Sequence, residues 1–189
     1  MKIVMWKRVS YALAVVALMA IAIAAKDVRT ISVRDECDPA SFNAAVGPGT
    51  CVGDGDVTFD EFLDALADGG HEKWRFNNVV TDADVAVNAN NRGGEGHTFT
   101  PVDHFGGGFI PLLNAALPES EQDPIAECAA RDENGDTIPE GIGLRPAAEA
   151  LATIIPPDGR NHLTTPLRTG QNLFQCCIHP WMRTTVQIR

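Results

Sequence analysis

The chain has 189 residues and a mass of 20.3 kDa, enough for one compact domain with appendages and too short for two full domains. Hydrophobic residues make up 44% and charged residues 21%, which builds a packed core and excludes a disordered tail. Lys and Arg total 15 against 25 Asp and Glu, a net charge of −10 that excludes nucleic acid and anionic membrane surfaces as partners and permits a cation or a basic protein.

Residues 1–8, MKIVMWKR, are basic, and residues 9–25 are apolar. Ala22-Ile23-Ala24 gives a small-x-small pattern, so cleavage of a secretory signal peptide, residues 1–25, is expected after Ala24 or Ala25. The same layout would serve an uncleaved anchor, but the apolar run is short for a span and only Lys26 follows it. No Cys follows the cleavage site to carry a lipid. Loss of Lys2, Lys7 and Arg8 with the leader leaves 12 basic against 25 acidic residues, a net charge of −13. The expectation is an exported protein, in the bacterial periplasm or outside the cell, with no membrane span after the leader is removed.

Residues 26–57 are turn-rich. Over 58–67, TFDEFLDALA, Phe59, Phe62, Leu63 and Leu66 share one helical face, with Asp56 or Thr58 as cap and Gly69-Gly70 as stop. Residues 26–70 are therefore expected to form a small N-terminal helical extension. From Trp74 the apolar period becomes two: Trp74 and Phe76, then Val85, Val87 and Ala89, then roughly His97, Phe99 and Val102. Residues 114–160 are rich in Pro and acidic residues, with a short helix expected near Arg145–Ala152, and so long an excursion predicts a surface insertion. Pro156-Pro157-Asp158-Gly159 is a turn. Residues 161–168, 171–177 and 183–188 read as closing strands, so the main domain, 71–189, is expected to be all-β.

In an oxidising compartment five cysteines leave one thiol with another task. Cys37 and Cys51 flank a turn-rich segment around Gly47-Pro48-Gly49 and make a local disulfide. Cys176 and Cys177 are neighbours, and a bridge between adjacent residues is strained. On a strand over 171–177 their side chains point to opposite faces. One can enter the core while the other reaches Cys128.

Residues 174–182, FQCCIHPWM, carry the sharpest chemistry. Cys176, His179 and Met182 form C-x2-H-x2-M between two strands. A thiolate, an imidazole and a thioether on one tight loop suit a soft, redox-active metal. Copper alternates between a thiolate-loving +1 state and an imidazole-loving +2 state, and a trigonal His2Cys set with a weak axial Met serves both. Gly93-Gly94-Glu95-Gly96-His97-Thr98-Phe99 supplies the second His on an earlier strand. His71, His104 and His162 fit no ligand spacing. A structural zinc site would need a further Cys/His pair, which is absent.

The segment FQCCIHPWMRTTVQI resembles the copper loop of the cupredoxins, the blue copper family of plastocyanin and amicyanin, with the spacing of amicyanin's short loop. GGEGHTFT, followed by FGGG, is similar to the upstream His segment of bacterial plastocyanin/azurin-like members. The resemblance covers about residues 71–189. It implies a Greek-key β-sandwich, with His97, Cys176, His179 and Met182 as ligands of one mononuclear type 1 copper ion. The short-loop spacing to His179 selects Cys176 as the metal sulfur and leaves Cys177 for Cys128. Where many members have Asn after the first His, this chain has Thr98, which keeps a hydrogen-bonding side chain. Pro180 and Trp181 would border the imidazole edge of His179 as an apolar docking patch. The implied function is non-enzymatic: a monomer carrying single electrons between larger redox proteins, with a periplasmic copper-binding, storage or delivery protein as the alternative.

Two acidic segments resemble incomplete calcium loops. Asp54–Glu61 matches the back half of an EF-hand with Thr50 and Val52 at the first ligand positions, and Asp132–Asp136 matches a front half without a closing Glu. Solvated acidic turns account for both. Multicopper oxidases and nitrite reductases need H-x-H pairs, and none occurs. Gly106–Gly108 lacks the Lys-Ser/Thr of a phosphate loop, and no nucleophile elbow is present.

Overall fold

The structure is a computed structural model that describes residues 28–77, 86–131, 145–157 and 162–188. The expected leader, Val85, the acidic segment Asp132–Asp136 and Asp158-Gly159 lie outside the described residues.

Two sheets carry the fold. The first has the order β2-β1-β3-β9, where β1 is Val28–Arg34, β2 Arg75–Asn77, β3 Ala86–Asn91 and β9 His162–Pro166. The second has the order β11-β10-β5, where β5 is Thr100–Val102, β10 Gly170–Gln175 and β11 Arg183–Ile188. Period-two burial explains their facing. Ile31 and Val33 of β1, Val87 and Ala89 of β3, Phe174 of β10 and Val186 and Ile188 of β11 all enter one core. Phe99 sits between the sheets, edge-on to Phe76 at 5.4 Å and stacked on Phe174 at 4.3 Å. The chain passes between the sheets from β3 to β5 and again from β9 to β10.

Two expectations are corrected. Residues 26–70 are not a separate extension: β1 is an inner strand, antiparallel to β2 and parallel to β3. Its alternating apolar face needs the sandwich core, and only its position between β2 and β3 satisfies both edges of its backbone. After β1 the chain builds a cap: α1, Pro39–Ala45, and α2, Phe59–Asp64, continued by a 3-10 turn over Ala65–Asp68. Asp38 caps α1. Thr58 and Glu61 form a capping box on α2, so the expected cap at Thr58 is used and Glu61, the would-be closing ligand of a calcium loop, is occupied by the helix start.

Nor is 114–160 merely a surface insertion. Its described parts lay a second apolar layer on the outer face of the three-stranded sheet, where Ile125, Cys128 and Ala150 pack with Val102 and Cys177. They include the short helices α3, Pro111–Asn114, and α4, Ala148–Ala152, and the pair β6, Ala130–Arg131, with β7, Arg145–Pro146. A last pair, β4 (His97–Thr98) with β8 (Ile154–Ile155), closes one end. Disulfides join Cys37 to Cys51 and Cys128 to Cys177. No helix among the described residues is long and apolar enough to cross a membrane.

Candidate metal centre

The adjacent cysteines divide between the two layers. Cys176 belongs to the inter-sheet core and Cys177 to the outer layer, as residues on opposite faces just beyond a strand must. With Cys177 bridged to Cys128, Cys176 is the unbridged cysteine, and it is buried. The turn from Cys176 to Met182 is closed by the Cys176 N–H donating to the Met182 carbonyl at 3.0 Å and the Met182 N–H donating to the His179 carbonyl at 2.9 Å. This tight closure folds His179 back over Cys176. His97 arrives from β4, whose register sets it opposite Ile155.

These elements bring Cys176, His97 and His179 together, all buried. Cys176 Sγ lies 3.8 Å from His97 Nδ1 and 3.9 Å from His179 Nδ1. Metal bonds of about 2.0 Å to nitrogen and about 2.3 Å to sulfur would reach across both gaps to one ion. The donor set and spacing thus fit a copper ion. Met182 is buried within the same turn. Two backbone N–H groups point at the sulfur, from Thr98 at 3.4 Å and His179 at 3.5 Å. The Thr98 hydroxyl accepts from the Cys177 N–H at 2.7 Å, tying β4 to the loop.

The electrostatics match a thiolate ligand. Burial pushes the Cys176 thiol up, but the imidazoles of His179 and His97 outweigh it and hold the thiol well below its usual range. Burial also opposes charge on His97, yet Asp35 and Cys176 on its two sides raise it to about 10.

Several residues at the centre carry no recognisable signal in the sequence. Asp35, just past β1, accepts from His97 Nε2 at 2.7 Å. Glu95 lies 3.7 Å from His179 Nε2 and takes the indole N–H of Trp74. Burial raises the Glu95 carboxyl, with His179 and Trp74 pulling back. Asn91 is buried and shapes the Gly93–Gly96 turn, its amide donating to the Glu95 carbonyl at 2.6 Å and its oxygen accepting from Gly93 at 2.9 Å.

His179 lies inside the protein. It is 2% exposed. The cap covers it: Phe62 meets its ring edge-on at 5.9 Å, and Trp74 and Trp181 flank it at 6.4 and 5.5 Å. Pro180 is buried and Trp181 half-buried, with Gly70 against the indole so closely that a Cβ there would sit 2.3 Å from it. The docking patch expected at Pro180 and Trp181 is therefore largely covered. What opens beside His179 instead is an apolar groove of about 550 Å³, lined by Phe59, Phe62, Leu63, Ile110 and Ile178.

Two facing sheets, a His on an edge pair and a Cys-His loop between the last two strands define the architecture. The fold is cupredoxin-like. No protein-family description matches the chain, and no curated protein sequence matches it. Among solved structures it is similar to a purple cupredoxin from Nitrosopumilus maritimus, at 12% identity and a TM-score of 0.35, over 85% of this chain and 99% of that one.

Proposed function

We propose that this is an exported electron carrier whose single copper ion is held by His97 Nδ1, Cys176 Sγ, His179 Nδ1 and the Met182 thioether. The observation that carries the reading is the convergence of one buried, unbridged thiolate and two imidazole Nδ1 atoms, each under 4 Å from the sulfur. Bound copper would supply a one-electron couple. The chain's own part is to hold the three strong donors still. Thr98 and His179 N–H groups take up charge on the sulfur, the closed turn fixes His179, and the cap keeps water out. Met182 would supply a fourth, weaker donor, a role that its place in the C-x2-H-x2-M loop supports. Two disulfides fit an oxidising compartment.

Electron transfer rather than copper delivery is favoured by burial. A site that hands over its ion needs an open ligand, and His179 lies under three aromatic rings. Redox partners would dock on the apolar groove, where Val46 (59% exposed) and Leu112 (62% exposed) form the rim.

The test is a Cu(II) titration followed by visible absorption. The wild type and a Cys128→Ser/Cys177→Ser pair should show an intense thiolate-to-copper band, and Cys176→Ser should lose it. A colourless wild type overturns the reading. Fast loss of the ion to a chelator would favour the delivery protein.

A further inference from the structure

We propose that Asp35 is a positioning residue of the metal centre, a buried carboxylate that presents His97 by Nδ1 and biases the site toward the more highly charged copper state. This rests on the copper reading above.

The geometry is specific. Asp35 and His97 side chains are both fully buried, and Asp35 Oδ2 lies 2.7 Å from His97 Nε2. The same carboxylate accepts from three backbone N–H groups: Gly94 at 2.9 Å, Glu95 at 3.2 Å and Cys37 at 3.4 Å. Four donors leave it no freedom to turn away. Its path to the ring depends on Gly93, where a Cβ would fall 1.8 Å from Oδ2. Asp35 also comes directly after β1, an inner strand, so its backbone is anchored in the sheet.

A carbonyl oxygen in that place would be enough to choose the ring tautomer. A carboxylate does more. It puts a full negative charge behind the imidazole, with both side chains buried, and so strengthens Nδ1 as a donor. Together with the Cys176 thiolate it favours Cu(II) over Cu(I), which lowers the reduction potential. The three-donor set needs no such charge to bind copper; its presence points to tuning.

Asp35→Asn keeps the shape and removes the charge. In the copper-loaded protein the thiolate band should persist, while Cu(II) affinity should fall about 10- to 100-fold and Cu(I) affinity much less. Each tenfold of that difference raises the potential by about 59 mV. A variant with the band intact and with potential and both affinities unchanged overturns the proposal. A wild type without the band overturns the copper reading itself, and the proposal with it. Should the variant fail to fold, nitrogen NMR of the wild-type Cu(I) protein decides. A slowly exchanging, strongly downfield proton on His97 Nε2 supports Asp35 as its acceptor, and a bare or rapidly exchanging Nε2 overturns it.

Discussion

In the metal-free protein, Cys176 and His97 hold one proton between two buried ligands. Burial opposes both charges, but each partner stabilises the other. The thiol is held well below 9.0 and the imidazole rises to about 10, so the proton sits on His97. In the unfolded chain the imidazole releases its proton near 6.5 and the thiol near 9.0. As pH rises toward 6.5 the unfolded chain still binds both protons while the folded pair has already lost the thiol's, so stability rises with pH. From 6.5 to 9.0 each state binds one, and stability is level. From 9.0 to about 10 only the folded state keeps the proton, and stability falls. Urea midpoints of the metal-free protein across this range should trace that rise, plateau and fall. Cys176→Ser removes the compensating thiolate, so its decline should begin near 6.5. A wild-type midpoint that already falls steadily from 6.5 would show that no such pair forms.

At the scale of elements, the cap does for the site what a lone loop cannot. Phe42, Phe62 and Trp74 pack at 4.9–5.8 Å from one another, and Phe62 alone of the cap's phenylalanines reaches both His179 and Trp181. Phe62→Ala should cost about 3–5 kcal/mol and speed copper loss to a chelator at least about tenfold by admitting water to His179. Phe59→Ala, in the same cluster but with no ring contact to His179, should lower stability without that acceleration. Equal exchange rates in the two variants would show that the cap does not guard the ion. The sequence made the Cys176–Met182 loop legible because Cys176 and His179 stand three positions apart, and α2 legible because its caps are local. The three closing strands were readable from their alternation. Asp35 was not, being one of 25 acidic residues and 62 positions from His97. Only the parallel pairing of β1 with β3, which sets Ser32 and Val33 beside Asn90 and Asn91, carries it to the ligand. The Gly93-Gly94 pair was the available hint, since paired glycines mark places where other atoms must pass closely. The outer layer was hidden for a similar reason: the apolar residues of 114–160 are sparse, and their burial depends on the Cys128–Cys177 link to a distant strand.

At the scale of the whole molecule, the net charge of −10 is not spread at random around the groove. Asp60, Glu61, Asp64 and Asp68 are exposed on α2 and the turn after it, whose inner face supplies Phe59, Phe62 and Leu63 to the groove wall. An apolar groove beside a helix whose exposed face is acidic attracts a cationic surface and then lets it seat without burying charge. Small oxidants can probe this without a natural partner. Oxidation of the Cu(I) protein by a cationic metal complex should be fast at low salt and slow by about tenfold as ionic strength rises from roughly 0.01 to roughly 0.5 M. Oxidation by an anionic complex of similar potential should speed up over the same range. Asp60→Asn/Asp64→Asn, two exposed changes that leave the core untouched, should flatten both slopes together. If both complexes react alike at every salt concentration, or the double variant keeps the wild-type slopes, electrons leave by another face of the sandwich and the groove beside His179 is not the docking site.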